Sequence, residues 1–251
     1  MSRTPNEGPT TAIPPVDHDL VSILLPFVEL LRMYHRHEVV GLENIPEKGG
    51  GLIVVNHSLA TYDIVLLWAA IYEQTGRLTR GLVDRLFYKV PGVGPFITGL
   101  GVAEGSPLNA ARLLKSGELV CVAPGGMREA LRPSSHRYKI DWGSRKGFAR
   151  LAAEQGVPII LAACPRADEL YDVFPSPLTR WAYERLKIPL FFARGVGPTP
   201  IPRPIKLTHY LSKPMAIRAA GDEGFNDADI ERFRNRLVRK MKQLMARGLV
   251  G

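Results

Sequence analysis

His57 and Asp63 are the residues of this chain whose types and spacing most clearly offer chemistry. His57 closes the run Leu52-Ile53-Val54-Val55-Asn56-His57, in which four apolar residues give way to a polar pair. A run of this kind is a buried strand, and the carboxyl end of a strand is where α/β sheets present reactive side chains. A neutral imidazole accepts a proton from a hydroxyl, and a carboxylate on its other nitrogen fixes the tautomer and stabilises the imidazolium. The same pattern also suits a strand-end histidine that merely caps its turn. A second cluster, Pro124-Gly125-Gly126-Met127-Arg128, follows the apolar run Leu119-Val120-Cys121-Val122-Ala123. Glycines there allow close backbone approach, exposed amides hold an anion, and the Arg128 guanidinium suits phosphate or carboxylate. It also reads as a glycine turn beside a surface arginine. A third, from Lys89 to Glu104, is rich in glycine and proline yet apolar throughout. It reads as an ordered binding loop with a short helix, in which Val90, Pro91 and Phe96 form an apolar wall, or as a packed connector.

The elements that must position these residues alternate between strand and helix, which argues for a single α/β domain with a mostly parallel or mixed central sheet flanked by helices. Strands are expected near residues 38–46, at 52–55, from Leu82, at 119–123, at 157–163 with Pro158 at the start, at 189–193 and at 205–211. Helices are expected from Asp17 to about His35, at Ile64–Gln74, at Asn109–Ser116 and at Gly147–Gln155 with Gly156 as its stop. A long amphipathic helix is expected at Asp227–Arg247, with Ile230, Phe233, Leu237, Met241 and Leu244 on one face. Residues 1–16 hold Pro5, Pro9, Pro14 and Pro15 and read as a disordered tail without the pattern of a signal peptide. Residues 17–37 form an N-terminal segment. Its apolar stretch Leu20–Met33, broken by Pro26, Glu29 and Arg32, is too short and polar to span a bilayer. It suits a helix lying in a membrane interface, or one packed on the remaining domain, 38–251.

Composition narrows the classes. The 251 residues are 45% hydrophobic and 23% charged, ordinary for a globular chain with a sizeable core. Cys121 and Cys164 both lie in apolar strand-like runs and read as small core residues. The six histidines are scattered without ligand spacing, so no metal centre is expected. A net charge of +9 suits an anionic membrane face, a phosphorylated substrate or nucleic acid. The basic residues form no tract interleaved with aromatics, which ranks nucleic acid last.

In order along the chain, these pieces resemble the PlsC-like glycerolipid and lysophospholipid acyltransferases. That family has a His-x4-Asp block, a block of Gly, Phe and Arg character, a Pro-Glu-Gly-Thr-Arg block and a Val-Pro-Ile-x-Pro block. Here they read Asn56 to Asp63, Val90 to Phe96, Ala123 to Ala130 and Val157 to Ile160. The departures are an extra residue between His57 and Asp63, Gly125 in place of the third block's glutamate, no clear arginine for the second block, and Leu161 in place of the last proline. The segments Gly125–Ala130 and Trp142–Ala149 look most like the branch with diacylglycerol and monoacylglycerol acyltransferase-like members. The resemblance implies His57 as general base oriented by Asp63, and substrate binding by Gly125, Gly126, Arg128 and Glu129. It implies an acyl or acceptor pocket at Val90, Pro91 and Phe96, and acyl-CoA or acyl-ACP as co-substrate without a further cofactor. With Arg128 as the one clear block arginine, a neutral acceptor is expected: diacylglycerol, monoacylglycerol or a long-chain alcohol. Alternatives are a lysophosphatidic acid or lysophospholipid acyltransferase, a lipid or thioester hydrolase, and an inactive lipid-binding protein. The expected place is peripheral, on the cytoplasmic face of a membrane.

Overall fold

The computed structural model describes residues 13, 15–59, 62–174, 176, 185, 192–217 and 224–249. Most of the expected tail lies outside these residues. So do residues 60 and 61, between the histidine and the aspartate, and 189–191 of the expected 189–193 strand.

The strands are β1 (Glu38–Val40), β2 (Gly51–Val55), β3 (Thr79–Val83), β4 (Ala103–Glu104), β5 (Leu119–Val122), β6 (Ile159–Ala163), β7 (Asp172–Phe174), β8 (Phe192–Arg194) and β9 (Thr208–Leu211). Seven of them form one sheet in the order β1-β9-β6-β2-β5-β3-β4, while β7 and β8 make a separate antiparallel pair. From β6 through β4 every neighbour is parallel; β9 joins β6 antiparallel and pairs in parallel with β1. The mixed, mainly parallel sheet and its flanking helices match the expectation from sequence.

The alternation of side chains across a pleated strand divides the core into two layers. Leu52 and Val54 of β2, Val120 of β5 and Ile159, Leu161 and Ala163 of β6 face one layer. There they meet α4 (Pro107–Lys115), α6 (Gly147–Gln155) and α7 (Asp227–Arg247). Ile53, Val55, Cys121, Ile160 and Ala162 face the other, under α2 (Tyr62–Thr75). All five residues expected on the inner face of α7 are buried, and an Asn226–Asp229 capping box starts the helix.

Helix α1 (His18–Tyr34) begins where the Asp17 carboxylate accepts the Leu20 amide at 3.0 Å. Val28 and Leu31 pack on Leu66, Leu170 and Leu207. The outer face, however, is bare: Ile23, Phe27 and Leu30 are each 63% exposed and Met33 is 73% exposed. The expected packing on the domain is thus seen on one side of the helix, and the other side is exposed and apolar. No helix among the described residues is long and apolar enough to cross a membrane.

Candidate active site

The central position of β2 decides where the site lies. Val54 pairs with Val122 of β5 and Val55 with Ala162 of β6, all parallel. The carboxyl ends of three strands are thus level, and the residues that follow them, His57, Pro124-Gly125-Gly126 and Cys164, emerge along one edge. Asn56 ties two of these ends together. Its Oδ1 accepts the Cys164 amide at 2.8 Å and its Nδ2 donates to the Cys164 carbonyl at 3.4 Å.

The His57 ring Nδ1 lies 2.8 Å from the Ser58 carbonyl oxygen. A carbonyl oxygen only accepts, so the proton resides on Nδ1 and the lone pair on Nε2. This is the tautomer that a general base needs. Burial holds the imidazole below its ordinary pKa of 6.5, the Ser58 carbonyl and the Asp63 charge oppose that shift, and Arg132 adds to it. The ring is neutral and able to accept a proton at pH 7.

Asp63, in the first turn of α2, is 1% exposed. The expectation that it would bond the imidazole directly is corrected: the Ser58 carbonyl takes that place. The Asp63 Oδ1 instead accepts the Ser58 hydroxyl in a short hydrogen bond, and its Oδ2 lies 3.6 Å from His209 Nε2. The carboxylate is therefore linked to the imidazole across one residue, through the Ser58 hydroxyl that it accepts.

Glu129, expected to bind substrate, is buried at 1% exposure in the short helix α5 (Gly126–Ala130). Its Oε2 accepts the His57 backbone amide at 3.1 Å and its Oε1 accepts the Asp141 amide at 2.9 Å. Arg132 lies 3.6 Å from the same carboxylate and is itself clamped by Asp168 at 2.6 Å. This geometry accounts for the missing block glutamate. A Cβ on Gly125 would lie 2.1 Å from Glu129 Oε2, so one carboxylate fills that space from a position one helical turn later. Sequence reasoning noted the loss at 125 without seeing its replacement at 129.

The remaining residues divide. The Gly126 amide donates to the Ala123 carbonyl at 3.0 Å, which removes it as an oxyanion donor. Arg145 Nη1 donates to the carbonyls of Pro124 and Gly125, at 2.6 Å each, and pins the turn. Arg128 is about half exposed and pairs with Asp141 at 3.3 Å rather than with Glu129. Lys146 pairs with Asp227. The residues expected to form a pocket, Val90, Pro91 and Phe96, stand on the surface around α3 (Val93–Gly99), with Val90 and Phe96 each 47% exposed. The carboxyl end of α3 meets the start of α1, where the Asp17 amide donates to the Gly99 carbonyl at 2.7 Å. Cys121 and Cys164 are free and buried, as expected from sequence. Burial pushes the Cys121 thiol up to about 12 and the Cys164 thiol well above its usual range.

His209 was missed. It occupies the middle of β9 between Leu207 and Leu211, all three buried. A histidine in step with two inward leucines is the signal that marks it, since a strand turns alternate residues to the same face.

Comparison with known proteins agrees with this geometry. The profile of the family described as Acyltransferase matches residues 36–164. The "DGAT1/2-independent enzyme synthesizing storage lipids" of Bos taurus is 35% identical over 184 residues, 73% of this chain and 53% of that protein. The protein of the same name from Homo sapiens is 35% identical over the same share of this chain and 55% of its own length. The chain thus spans about half the length of these curated relatives. Among solved structures, the 1-acyl-sn-glycerophosphate (LPA) acyltransferase PlsC from Thermotoga maritima aligns with a TM-score of 0.55 and 20% identity. It covers 89% of this chain and 79% of that one, a likeness of fold.

Proposed function

Because the chain belongs to the acyltransferase family, as a PlsC-like member, we propose that it moves a fatty acyl group from a thioester, acyl-CoA or acyl-ACP, to the hydroxyl of a lipid acceptor. The observation that supports this best is the His57 tautomer. With Nδ1–H on the Ser58 carbonyl, Nε2 takes the acceptor's proton as the acceptor oxygen bonds the acyl carbon. The tetrahedral intermediate then expels the thiolate, which leaves as the thiol with the proton from Nε2. General-base action of this kind is worth about 10²–10⁴ in rate. The Gly125 backbone amide, unlike that of Gly126, is the candidate donor of this turn to the developing oxyanion.

A neutral acceptor fits the charges around the turn. Arg145 is held by two carbonyls, and Lys146 and Arg128 each face an aspartate. A phosphate dianion needs cations with donors to give. The acyl chain lies along the apolar surface of Val90, Pro91 and Phe96. Membrane association is peripheral, through Ile23, Phe27, Leu30 and Met33 on α1, with basic residues facing an anionic surface; the cytoplasmic face is the side where the acyl thioester is available. The test is incubation of purified protein with labelled acyl-CoA and, in detergent, a panel of neutral and phosphorylated acceptors. Labelled triacylglycerol, diacylglycerol or ester is the expected product. Faster saturable turnover of lysophosphatidic acid would overturn the neutral acceptor, and free fatty acid alone would replace transfer by hydrolysis.

A further inference from the structure

A line of polar side chains runs behind Asp63 through the interior. Arg32 of α1 donates from Nε to His37 Nδ1 at 3.3 Å, and is itself gripped by Glu29 and Glu73 at 2.7 Å. His37 Nε2 lies 2.8 Å from His209 Nδ1, the two rings edge to face. His209 Nε2 faces Asp63 Oδ2 at 3.6 Å, with both residues 1% exposed. The parallel pairing of β1 with β9, in which Val39 opposes His209, brings the two histidines together.

The chemistry of Arg32 gives this line a direction. A guanidinium has only donors, so His37 Nδ1 accepts and its proton sits on Nε2. That proton is donated to His209 Nδ1, which leaves the second proton on His209 Nε2, aimed at the carboxylate. Asp63 is thus approached by an N–H on one oxygen and by the Ser58 O–H on the other. The groups around His37 keep it neutral. Burial first, then His209, Arg32 and His35, push its pKa down to about 2, so the direction of the line does not reverse as the solution nears neutrality.

We propose that His209, with its tautomer fixed through His37 by Arg32, is a positioning residue for the transfer reaction. Its Nε2–H faces the Asp63 carboxylate at 3.6 Å, longer than a hydrogen bond, and draws electrostatically on the group that accepts the Ser58 hydroxyl; the Ser58 carbonyl keeps the His57 proton on Nδ1. The assignment rests on His57 being the base. It also gives an alternative reading of the same groups a clear answer. Asp63, Cys164 and His209 bring donor atoms within 4.8 Å of one another, a set that by type suits a metal ion. A metal on His209 Nε2 needs a lone pair there, and that would switch the tautomer of both histidines and set a His37 Nδ1–H against the Arg32 Nε–H. The arginine therefore selects an N–H facing a carboxylate over a metal ligand.

The experiment is performed on the full chain with ¹⁵N-labelled histidine. The expected spectrum shows His37 and His209 as Nε2–H tautomers and His57 as Nδ1–H. His209→Phe keeps the ring shape without the donor. It is expected to lower kcat about 10- to 100-fold, the scale of an ångström-sized misplacement, with KM for acyl-CoA unchanged and the His57 Nδ1–H resonance broadened or lost. His209→Gln, which returns an N–H near the Nε2 position, is expected to recover most of the activity. An Nδ1–H tautomer at His209 in the wild type overturns the proposal even if no variant folds. So does a folded His209→Phe protein with kcat within threefold of wild type, or a Co²⁺ titration that gives thiolate-to-metal absorption. Turnover by His57→Ala would instead remove the base on which the assignment rests, leaving the tautomer spectrum as a separate result.

Discussion

Replacing Glu129 with alanine tests how the site is held. In the wild type one buried carboxylate accepts two backbone amides, those of His57 and Asp141, from opposite oxygens. Alanine leaves both donors without an acceptor. At roughly 1–3 kcal/mol for each orphaned buried donor, the gross cost is about 2–6 kcal/mol. Burial holds the Glu129 carboxyl above its ordinary pKa, against the pull of the Asp141 amide and Arg132, so its removal also relieves some desolvation. A net loss of about 2–4 kcal/mol is expected, measured as a shift in the urea midpoint at constant slope. A domain with about 5–15 kcal/mol of stability stays folded through this, so activity can be read on the same protein. Because the His57 peptide loses its anchor, kcat is expected to fall about 10²-fold. Gly125→Ala supplies the control. Its Cβ would meet Glu129 Oε2 at 2.1 Å and Cβ at 2.5 Å, so alone it destabilises; in the Glu129→Ala background the carboxylate contact is gone while the Cβ contact stays, so part of that penalty disappears. Such non-additivity is the signature of two groups competing for one space. The reasoning fails if Glu129→Ala unfolds at the wild-type midpoint, or if the two substitutions add.

Three further outcomes are expected. His57→Ala abolishes transfer with an unchanged circular dichroism spectrum. In the wild type kcat/KM is level through neutrality and falls on acidification below 6.5, because the base must be neutral and burial lowers its pKa; Asp63→Asn removes an opposing charge and moves that limb further to acid, as stopped-time assays from pH 4 to 8 would record. For α1, Phe27→Asp with Leu30→Asp places charges on the bare face, and is expected to shift the protein from vesicle-bound to free in flotation without a change in melting temperature; unchanged flotation would remove that helix as the contact.

The strands that hold the site were legible because they are buried on both faces and so appear as unbroken apolar runs, as at 52–55 and 159–163. Helix α7 was legible from the spacing of five apolar residues, and α6 from the glycine that ends it. What could not be read was contact between distant segments. Glu129 looks in sequence like a charge beside Arg128 and is in fact an internal acceptor, because only the folded chain brings the His57 amide to it. Asp63 sits where its spacing promised, yet Ser58 intervenes, since the direction of a peptide carbonyl leaves no trace in residue types. The three-residue β7 and the two-residue β4 escaped because neither has enough residues to display a period, while the strand expected at 189–193 meets β8 at Phe192 and Ala193.

The level carboxyl ends of β2, β5 and β6 have a consequence for how the protein is made. Residues 57, 125 and 164 are separated by long stretches of chain and become neighbours only when the parallel strands have docked in register. Such pairings close large loops and form late in folding. A fragment that ends before β6 lacks one of the three strand ends that frame the site, and with it the Cys164 peptide that Asn56 holds.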